Sequence, residues 1–275
     1  MKATVVIPTR DRIESLRRTV AALRAQDAAF EWELVVVDDG SQPPVPEDVT
    51  AGLHGRVIRG PGRGPGTARN LGIRSARGDV VAFTDDDTEP APSWLRSAVE
   101  RLEAEPAAAG VEGPVSSPPW DPLREHSLAT ETPGNYWTCN VAFRRAVLER
   151  VGGFDESFGL PHCEDLDLAF RAMEHGPIGF ASGMRIVHHP RAVPFRAAAR
   201  RGRMTASEVP FFRRHRARFG RAQRLPAPLF PFVSAVGTWL PVLRAELRRP
   251  KRLARAVALF AAYLAYVAAG AVGRQ

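Results

Sequence analysis

At 275 residues the chain is long enough to bury a substantial core, and one α/β domain with an appendage is the expected organisation. Two cysteines, Cys139 and Cys163, without CxxC spacing exclude a disulfide framework and fit a reducing compartment, so the cytosolic side is expected. The net charge of +8 hides an asymmetry: residues 191–275 hold 18 Lys+Arg against Glu208 and Glu246 alone, so a mildly acidic body carries a basic tail suited to an anionic surface, nucleic acid or membrane headgroups.

The opening MKATVVIPTR lacks the length of a signal h-region and a cleavage site, and reads as a first strand over Thr4 to Pro8. Ile13, Leu16, Val20 and Leu23 follow at helical spacing. WELVVVD at 32–38 is a second strand ending in Asp38, Asp39 and the turn-rich GSQPPVP. RVIRG at 56–60 is a short third strand, and GPGRGPG at 60–66 reads as a flexible loop. Thr67 is placed to cap a helix running to about Arg77, with Gly78 as its stop. DVVAFT at 79–84 gives a fourth strand, and Ser93 is placed to cap a helix from Trp94 to about Glu105. A strand is expected near 108–115, and the polar, proline-rich SSPPWDPLREHSLATETPGN reads as a long loop. A helix is expected from Arg144 to Gly152-Gly153 and another from Glu164 to Glu174. GMRIVHHP gives a last short strand that ends at His188-His189.

Short apolar strands alternating with amphipathic helices indicate an α/β fold with a mostly parallel sheet covered on both faces, in which ligands bind beyond the carboxyl ends of the strands. Asp38, Asp39 and Asp85–Asp87 sit at such ends. Three adjacent aspartates repel one another, and a divalent cation between them relieves the repulsion, although a solvated turn accounts for the same spacing. Asp85 and Asp87, two apart in extended geometry, share a side and Asp86 points away. A hard cation held by carboxylates and phosphates suits Mg²⁺ or Mn²⁺. Glu164, Asp165 and Asp167 open a helix, where helix-dipole complementarity alone accounts for them.

VVIPTRDR, VVVDDGS, GTARNLGI, DVVAFTDDD and GFDESFGLPHCEDLDLAFR stand in the order seen in family 2 glycosyltransferases of the GT-A fold, which the chain resembles over residues 3 to about 190. The resemblance implies a GT-A transferase domain over 1–190, with 191–275 as a basic, apolar helical tail. It also implies inverting transfer from a nucleoside-diphosphate sugar. On the donor side it places Pro8, Thr9 and Arg10, Asp39 as the base-recognising residue, Arg69, and Asp85 with Asp86. Arg10 stands where many members carry an aromatic residue. Asp85 and Asp87 match the DxD pair, with Asp87 as the direct ligand of a divalent metal (Mn²⁺ or Mg²⁺). His188 is preferred to His189 as the imidazole that completes the metal shell. Asp165 is implied as general base, with Glu164 next and Asp167 orienting its neighbours. Trp137, Asn140 and Phe143 fall in the segment that forms the acceptor and donor-sugar pocket, with Trp137 equally readable as core.

In the tail, residues 225–243 and 256–273 are free of charge. Pro226, Pro228, Pro231 and Pro241 argue against a continuous spanning helix through the first, and Ala and Gly make the second a marginal span. The tail reads as a membrane-surface module, with a helical extension packed on the catalytic domain as the alternative. Nucleic-acid binding is not expected, because the aromatic residues do not interleave with the arginines. The chain is thus expected to act at the cytoplasmic membrane face on a lipid-linked or cell-surface glycan acceptor. A non-catalytic saccharide- or nucleotide-binding protein is the competing class. A sugar-1-phosphate nucleotidyltransferase would need a glycine-rich loop after the first strand, where this chain has PTRDRIE.

Overall fold

The computed structural model describes residues 1–158 and 162–272. The chain divides into two compact units: Met1–Pro118, Leu128–Gly159 and Glu164–His189 form one, and Pro119–Ser127, Leu160–Cys163 and Pro190–Gln275 the other. The sequence reading placed all of the proline-rich loop in the first domain.

The strands in chain order are β1 (Ala3–Thr9), β2 (Trp32–Asp38), β3 (Gly55–Arg59), β4 (Val80–Phe83), β5 (Thr88–Pro90), β6 (Gly110–Glu112), β7 (Val115–Ser116), β8 (Glu125–His126), β9 (Val141–Arg144), β10 (Ile178–Phe180), β11 (Ile186–His188) and β12 (Arg191–Ala192). Among the described residues, the first unit holds a seven-stranded sheet of order β10-β6-β9-β4-β1-β2-β3. It is parallel except at β9, which runs antiparallel to both β4 and β6. β5, β11 and β7 form a smaller sheet beside the carboxyl end of β4 in the chain.

Period-two alternation explains the two-sided burial of the central strands. Val5 and Ile7 of β1, with Leu34 and Val36 of β2, share one core with Leu16, Val20 and Leu23 of α1 (Ile13–Arg24). Their alternates Val6, Val35 and Val37 join a second core, which includes Ala68 and Ile73 of α2 (Pro65–Ser75). α3 (Trp94–Ala104) packs Leu95, Val99 and Leu102 into the first core. α4 (Arg145–Val151) and α5 (Glu164–Ala172) give Val147, Leu148 and Leu168 to the second.

Several local expectations are corrected. α2 begins at Pro65, where fixed φ and a missing N–H suit the first turn, so the loop is shorter than GPGRGPG suggests. Thr67 is not the cap; its hydroxyl donates to Glu156, 2.9 Å away. Ser93 stands at the N-cap of α3, but its hydroxyl donates to the Gly183 carbonyl at 3.0 Å. α4 ends at Gly152 in the left-handed conformation, φ 75°, as the Gly-Gly pair predicts.

In the second unit, β8 from the proline-rich loop pairs antiparallel with β12. Helices α6 (Phe195–Arg200), α7 (Glu208–His215), α8 (Phe230–Glu246) and α9 (Pro250–Val272) follow. Leu123, Ala199, Trp239, Ala256 and Leu259 form the unit's core. The prolines do not break α8: Pro231 lies in its first turn, where no backbone donor is needed, and Pro241 is accommodated inside it. Among the described residues, Pro250–Ala269 of α9 is long and apolar enough to cross a membrane by length and composition, with mean hydropathy 1.4. Residue 273, the end of the second charge-free stretch, lies outside the described residues.

Candidate active site at the strand ends

The parallel register Thr9↔Asp38 and Val6↔Phe83 sets the ends of β1, β2 and β4 side by side, and the polar residues that follow them share one rim. The two aspartates after β2 divide their work. Asp38, not Asp39, makes the turn: it accepts the N–H groups of Ser41 (2.8 Å) and Val45 (3.0 Å) and pairs with Arg59. Burial pushes its carboxyl up, but the contacts from Ser41, Val45 and Arg59 outweigh this and hold it below the usual range.

Asp39 instead reaches across to the 60–64 loop. Its Oδ1 accepts the N–H groups of Gly62 (2.9 Å) and Arg63 (3.2 Å), and its Oδ2 that of Gly64 (2.7 Å). Gly62 takes φ 73°, which a side chain would strain. Arg10 is exposed and approaches the same loop, with Nη1 3.5 Å from the Gly62 carbonyl. Pro8 is buried inside β1, paired in register with Val37.

The triple aspartate splits, with Asp86 apart from Asp85 and Asp87, but it does so in a turn between β4 and β5 and not in the extended geometry expected. Thr84 and Thr88 close the turn that carries it: their hydroxyls are 2.7 Å apart, Thr88 Oγ1 donates to the Asp85 carbonyl (2.8 Å), and Thr84 Oγ1 donates to the Cys139 carbonyl (3.0 Å). Asp86 turns inward to accept Thr9 Oγ1 (2.7 Å) and Arg12 Nη1 (2.9 Å). Arg12 also reaches Asp87 at 3.4 Å. On the other side, Asp85, Asp87 and His188 each present a ligand atom, all within 4.8 Å of one another, and His188 Nε2 is 3.6 Å from Asp87 Oδ1. Two carboxylates and an imidazole are a donor set that suits a divalent cation. His188 is buried beside Asp87, whereas His189 pairs outward with Glu89 at 3.0 Å.

Burial drives the Asp86 carboxyl up to about 6, although Arg12 and Thr9 favour its ionised form. A folded value above the reference 3.8 means that the folded chain holds this proton more tightly. Its stabilising contribution is therefore full below about pH 4 and is lost as pH rises through about 6. Asp86→Asn keeps the shape and stays neutral. In urea melts of the metal-free protein it is expected to flatten this slope between about pH 4 and 6.

Arg69 joins the DDD turn to α5. It is 4% exposed; Nη2 donates to Asp85 Oδ1 at 2.7 Å, and Nη1 lies 3.5 Å from Glu164 Oε1. Burial alone would lower its pKa, but the charges of Asp85 and Glu164 prevail and raise it. Its Nε and Nη1 are buried without a hydrogen-bond partner among the described residues, so the approach to Glu164 is an ion pair and not a hydrogen bond. Within α5, Glu164 and Asp167 are buried, the latter accepting Arg171 Nε at 2.8 Å, while Asp165 is half-buried. The next residue of α2, Asn70, clips the 153–156 segment: Nδ2 donates to the Phe154 carbonyl and to Glu156 (2.9 Å each), and Oδ1 accepts Phe154 N–H (2.7 Å). Gly153, at φ 70°, leaves no room for a Cβ, which would fall 2.4 Å from Asn70 Oδ1.

Two expected pocket residues are structural. The Asn140 amide is saturated within the first unit, donating to the Pro114 (2.9 Å) and Met184 (2.8 Å) carbonyls and accepting Trp94 Nε1 (2.7 Å). Phe143 is buried in β9 against Phe83, with ring centroids 6.5 Å apart. Trp137 is half-buried and packs on the first core. Sequence reasoning missed Arg12, although it lies in the same PTRDR run as Arg10. It also missed Glu112, a buried carboxylate that accepts the N–H groups of Gly134, Asn135 and Tyr136 and fixes the segment before Trp137.

Residues 4–155 match the profile of Glycosyl transferase family 2. The pre-mycofactocin glycosyltransferase of Mycobacterium tuberculosis (strain CDC 1551 / Oshkosh) is 32% identical over 236 residues, covering 77% of this chain and 48% of that protein. The chain spans about half the length of this relative and of the validoxylamine A glucosyltransferase of Streptomyces hygroscopicus subsp. jinggangensis, and about a quarter of the chondroitin synthase of Escherichia coli. Among solved structures, the mannosyltransferase PcManGT from Pyrobaculum calidifontis, in complex with GDP-Man and Mn²⁺, superposes with a TM-score of 0.56 at 23% identity, covering 99% of this chain and 81% of that one. S. aureus TarS 1–349, in complex with UDP-GlcNAc, gives 0.58 at 17% identity, over 98% and 91%. These likenesses show the GT-A fold. The family profile runs from β1 through α4, takes in both aspartate-bearing strand ends and covers more than half of the sequence: the chain belongs to glycosyl transferase family 2.

Proposed function

We propose that the protein is an inverting, metal-dependent glycosyltransferase that moves a sugar from a nucleoside-diphosphate donor to a lipid-linked or cell-surface glycan acceptor at the inner face of the cell membrane. Residues 1–190 would carry the transfer and residues 191–275 the membrane contact. The observation that carries this reading is the junction at Arg69. One buried guanidinium holds Asp85 of the Asp85/Asp87/His188 cluster and also Glu164, the neighbour of Asp165.

Asp85, Asp87 and His188 would hold the divalent cation, Mn²⁺ or Mg²⁺. Bound there, it supplies positive charge against the diphosphate leaving group. Asp39 shapes the 60–64 loop, which with Thr9 and Arg10 would frame the nucleotide. Asp165, half-buried at the start of α5, would accept the proton of the acceptor hydroxyl. Attack on the face opposite the leaving group inverts the anomeric centre. The nucleotide-sugar ligands of PcManGT and TarS and the Mn²⁺ of PcManGT support the donor class and the cofactor.

The test incubates purified protein with a panel of uridine, guanosine and thymidine diphosphate sugars and Mn²⁺ or Mg²⁺, and measures nucleoside-diphosphate release alongside thermal shifts. Release from at least one donor, abolished by excess chelator, is expected. Full release in chelator would overturn the metal. Donor-dependent stabilisation without release in the presence of glycan or lipid acceptors would favour a non-catalytic binding protein.

A further inference from the structure

The exposed large apolar side chains of the second unit concentrate on one stripe. Leu229, Val233, Val236, Leu240 and Leu247 are 41–65% exposed. Their spacing of four, three, four and seven residues places them within about 60° of arc on the axis of α8. The opposite side of α8 is already occupied: Pro231, Ala235, Trp239 and Glu246 are buried there, and Trp239 packs in the unit's core with Ala256 and Leu259. The stripe is therefore not the face that holds α8 to α9.

The exposed charge of residues 191–275 has one sign, while Asp121 and Glu125 of the same unit are half-buried and Asp121 is paired with Arg252. The two carboxylates of residues 191–275 are both buried. Glu208 contacts His162 (2.7 Å) and Ser234 (3.1 Å), and Glu246 takes two contacts of 2.8 Å from Arg252. The exposed charged side chains of this stretch are consequently all cationic. Arg244 lies at the edge of the stripe, and Arg248, Arg249 and Lys251 follow at its end, all exposed. α9 is the longer apolar helix, but beside Pro250, Lys251 and Val257 its exposed residues among those described are alanines, at 254, 258, 261, 265, 268 and 269, so it presents no stripe of large side chains.

We infer that α8 is the membrane-contacting element, lying in the plane of an anionic bilayer with its Leu/Val stripe at the acyl boundary and Arg244, Arg248, Arg249 and Lys251 among the headgroups. This rests on the membrane-face reading above and commits it to one surface. At 17 residues α8 spans about 26 Å, short of a hydrocarbon core of about 30 Å, so it lies on the bilayer and does not cross it. A second copy would bring two unscreened cationic rims together. A stripe of Leu and Val has no aromatic face on which nucleic-acid bases could stack.

The experiment is co-sedimentation of the full chain with phosphatidylcholine vesicles, with and without phosphatidylglycerol. It compares the parent with Val236→Glu/Leu240→Glu, with Arg244→Gln/Arg248→Gln/Arg249→Gln, and with Val257→Glu on α9. All these positions are exposed, and circular dichroism with nucleoside-diphosphate release in solution checks that each variant is folded. Partition onto anionic vesicles is expected to fall about tenfold or more for the stripe variant, to lose its dependence on phosphatidylglycerol for the arginine variant, and to stay within about twofold for Val257→Glu. Leu240→Trp should keep binding and shift its emission to the blue on vesicles. Undiminished binding of the stripe variant would overturn the assignment of α8 while leaving the membrane reading standing; no binding by the parent would overturn both. A dimer in gel filtration that Leu240→Glu dissolves would give the stripe to a second copy and overturn the inference.

Discussion

Asp165→Asn is expected to bind a nucleotide donor as the parent does and to turn it over about 10²–10⁴-fold more slowly. Three carboxylates open α5, and the structure separates them by access. Glu164 is buried on Arg69 and Asp167 is buried on Arg171, while Asp165 is half-buried. A general base must reach a proton that arrives from outside the protein, so the accessible carboxylate is the one placed for it. The substitution is also conservative in shape: Asp165 Oδ1 accepts the Leu166 N–H at 2.8 Å, and an amide oxygen accepts it equally well. Stopped-flow binding and single-turnover transfer separate the two effects. An unchanged single-turnover rate would move the proton acceptor to Glu164 or out of α5.

Asp87→Ala is expected to lose the Mn²⁺-dependent rise in thermal midpoint and to slow donor turnover by about 10²-fold or more. Asp87 is central to the cluster, since His188 Nε2 approaches it at 3.6 Å and Asp85 shares its side of the turn. The fold should tolerate the change. The anchoring of the turn runs mainly through Asp86, which keeps Thr9 at 2.7 Å and Arg12 at 2.9 Å when the longer 3.4 Å contact of Arg12 with Asp87 is lost, and through the Thr84 and Thr88 hydroxyls. The metal-free midpoint should accordingly stay close to that of the parent. Titration with Mn²⁺ followed by electron paramagnetic resonance checks the affinity directly. Unaltered Mn²⁺ affinity would remove Asp87 from the metal site and leave Asp85 and His188 to be tested.

Much of the first unit is legible in the sequence because its strands are buried on both faces. Seven residues such as WELVVVD between polar breaks leave little choice of element, and β2 spans the expected 32–38. The sequence also points Asp86 away from Asp85 and Asp87, although it does so by extended geometry, whereas the three residues stand in a turn between β4 and β5. Side-chain partners far apart in the chain are another matter. Nothing local says that Thr9 donates to Asp86, 77 residues on, or that Asn140 is saturated by three distant groups. Adjacent identical residues conceal opposite tasks for the same reason: Asp38 closes its own turn, whereas Asp39 organises a loop more than 20 residues later. The prolines of 225–243 do exclude one continuous helix through that stretch, and α8 starts only at Phe230, with Pro231 in its permissive first turn; Pro241 alone is accommodated inside, at the cost of a single ladder bond.

The pairing of Arg69 with Asn70 on α2 has a mechanical corollary. One residue grips Asp85 and Glu164, and the next grips the chain at Phe154 and Glu156. The Asp85 turn, the start of α5 and the 153–156 segment thus all meet one turn of α2. On the proposed reading, any change that displaces α2, whose amino end follows the 60–64 loop, would disturb the Asp85 turn and the 153–156 segment together, because adjacent residues of one helix tie down both.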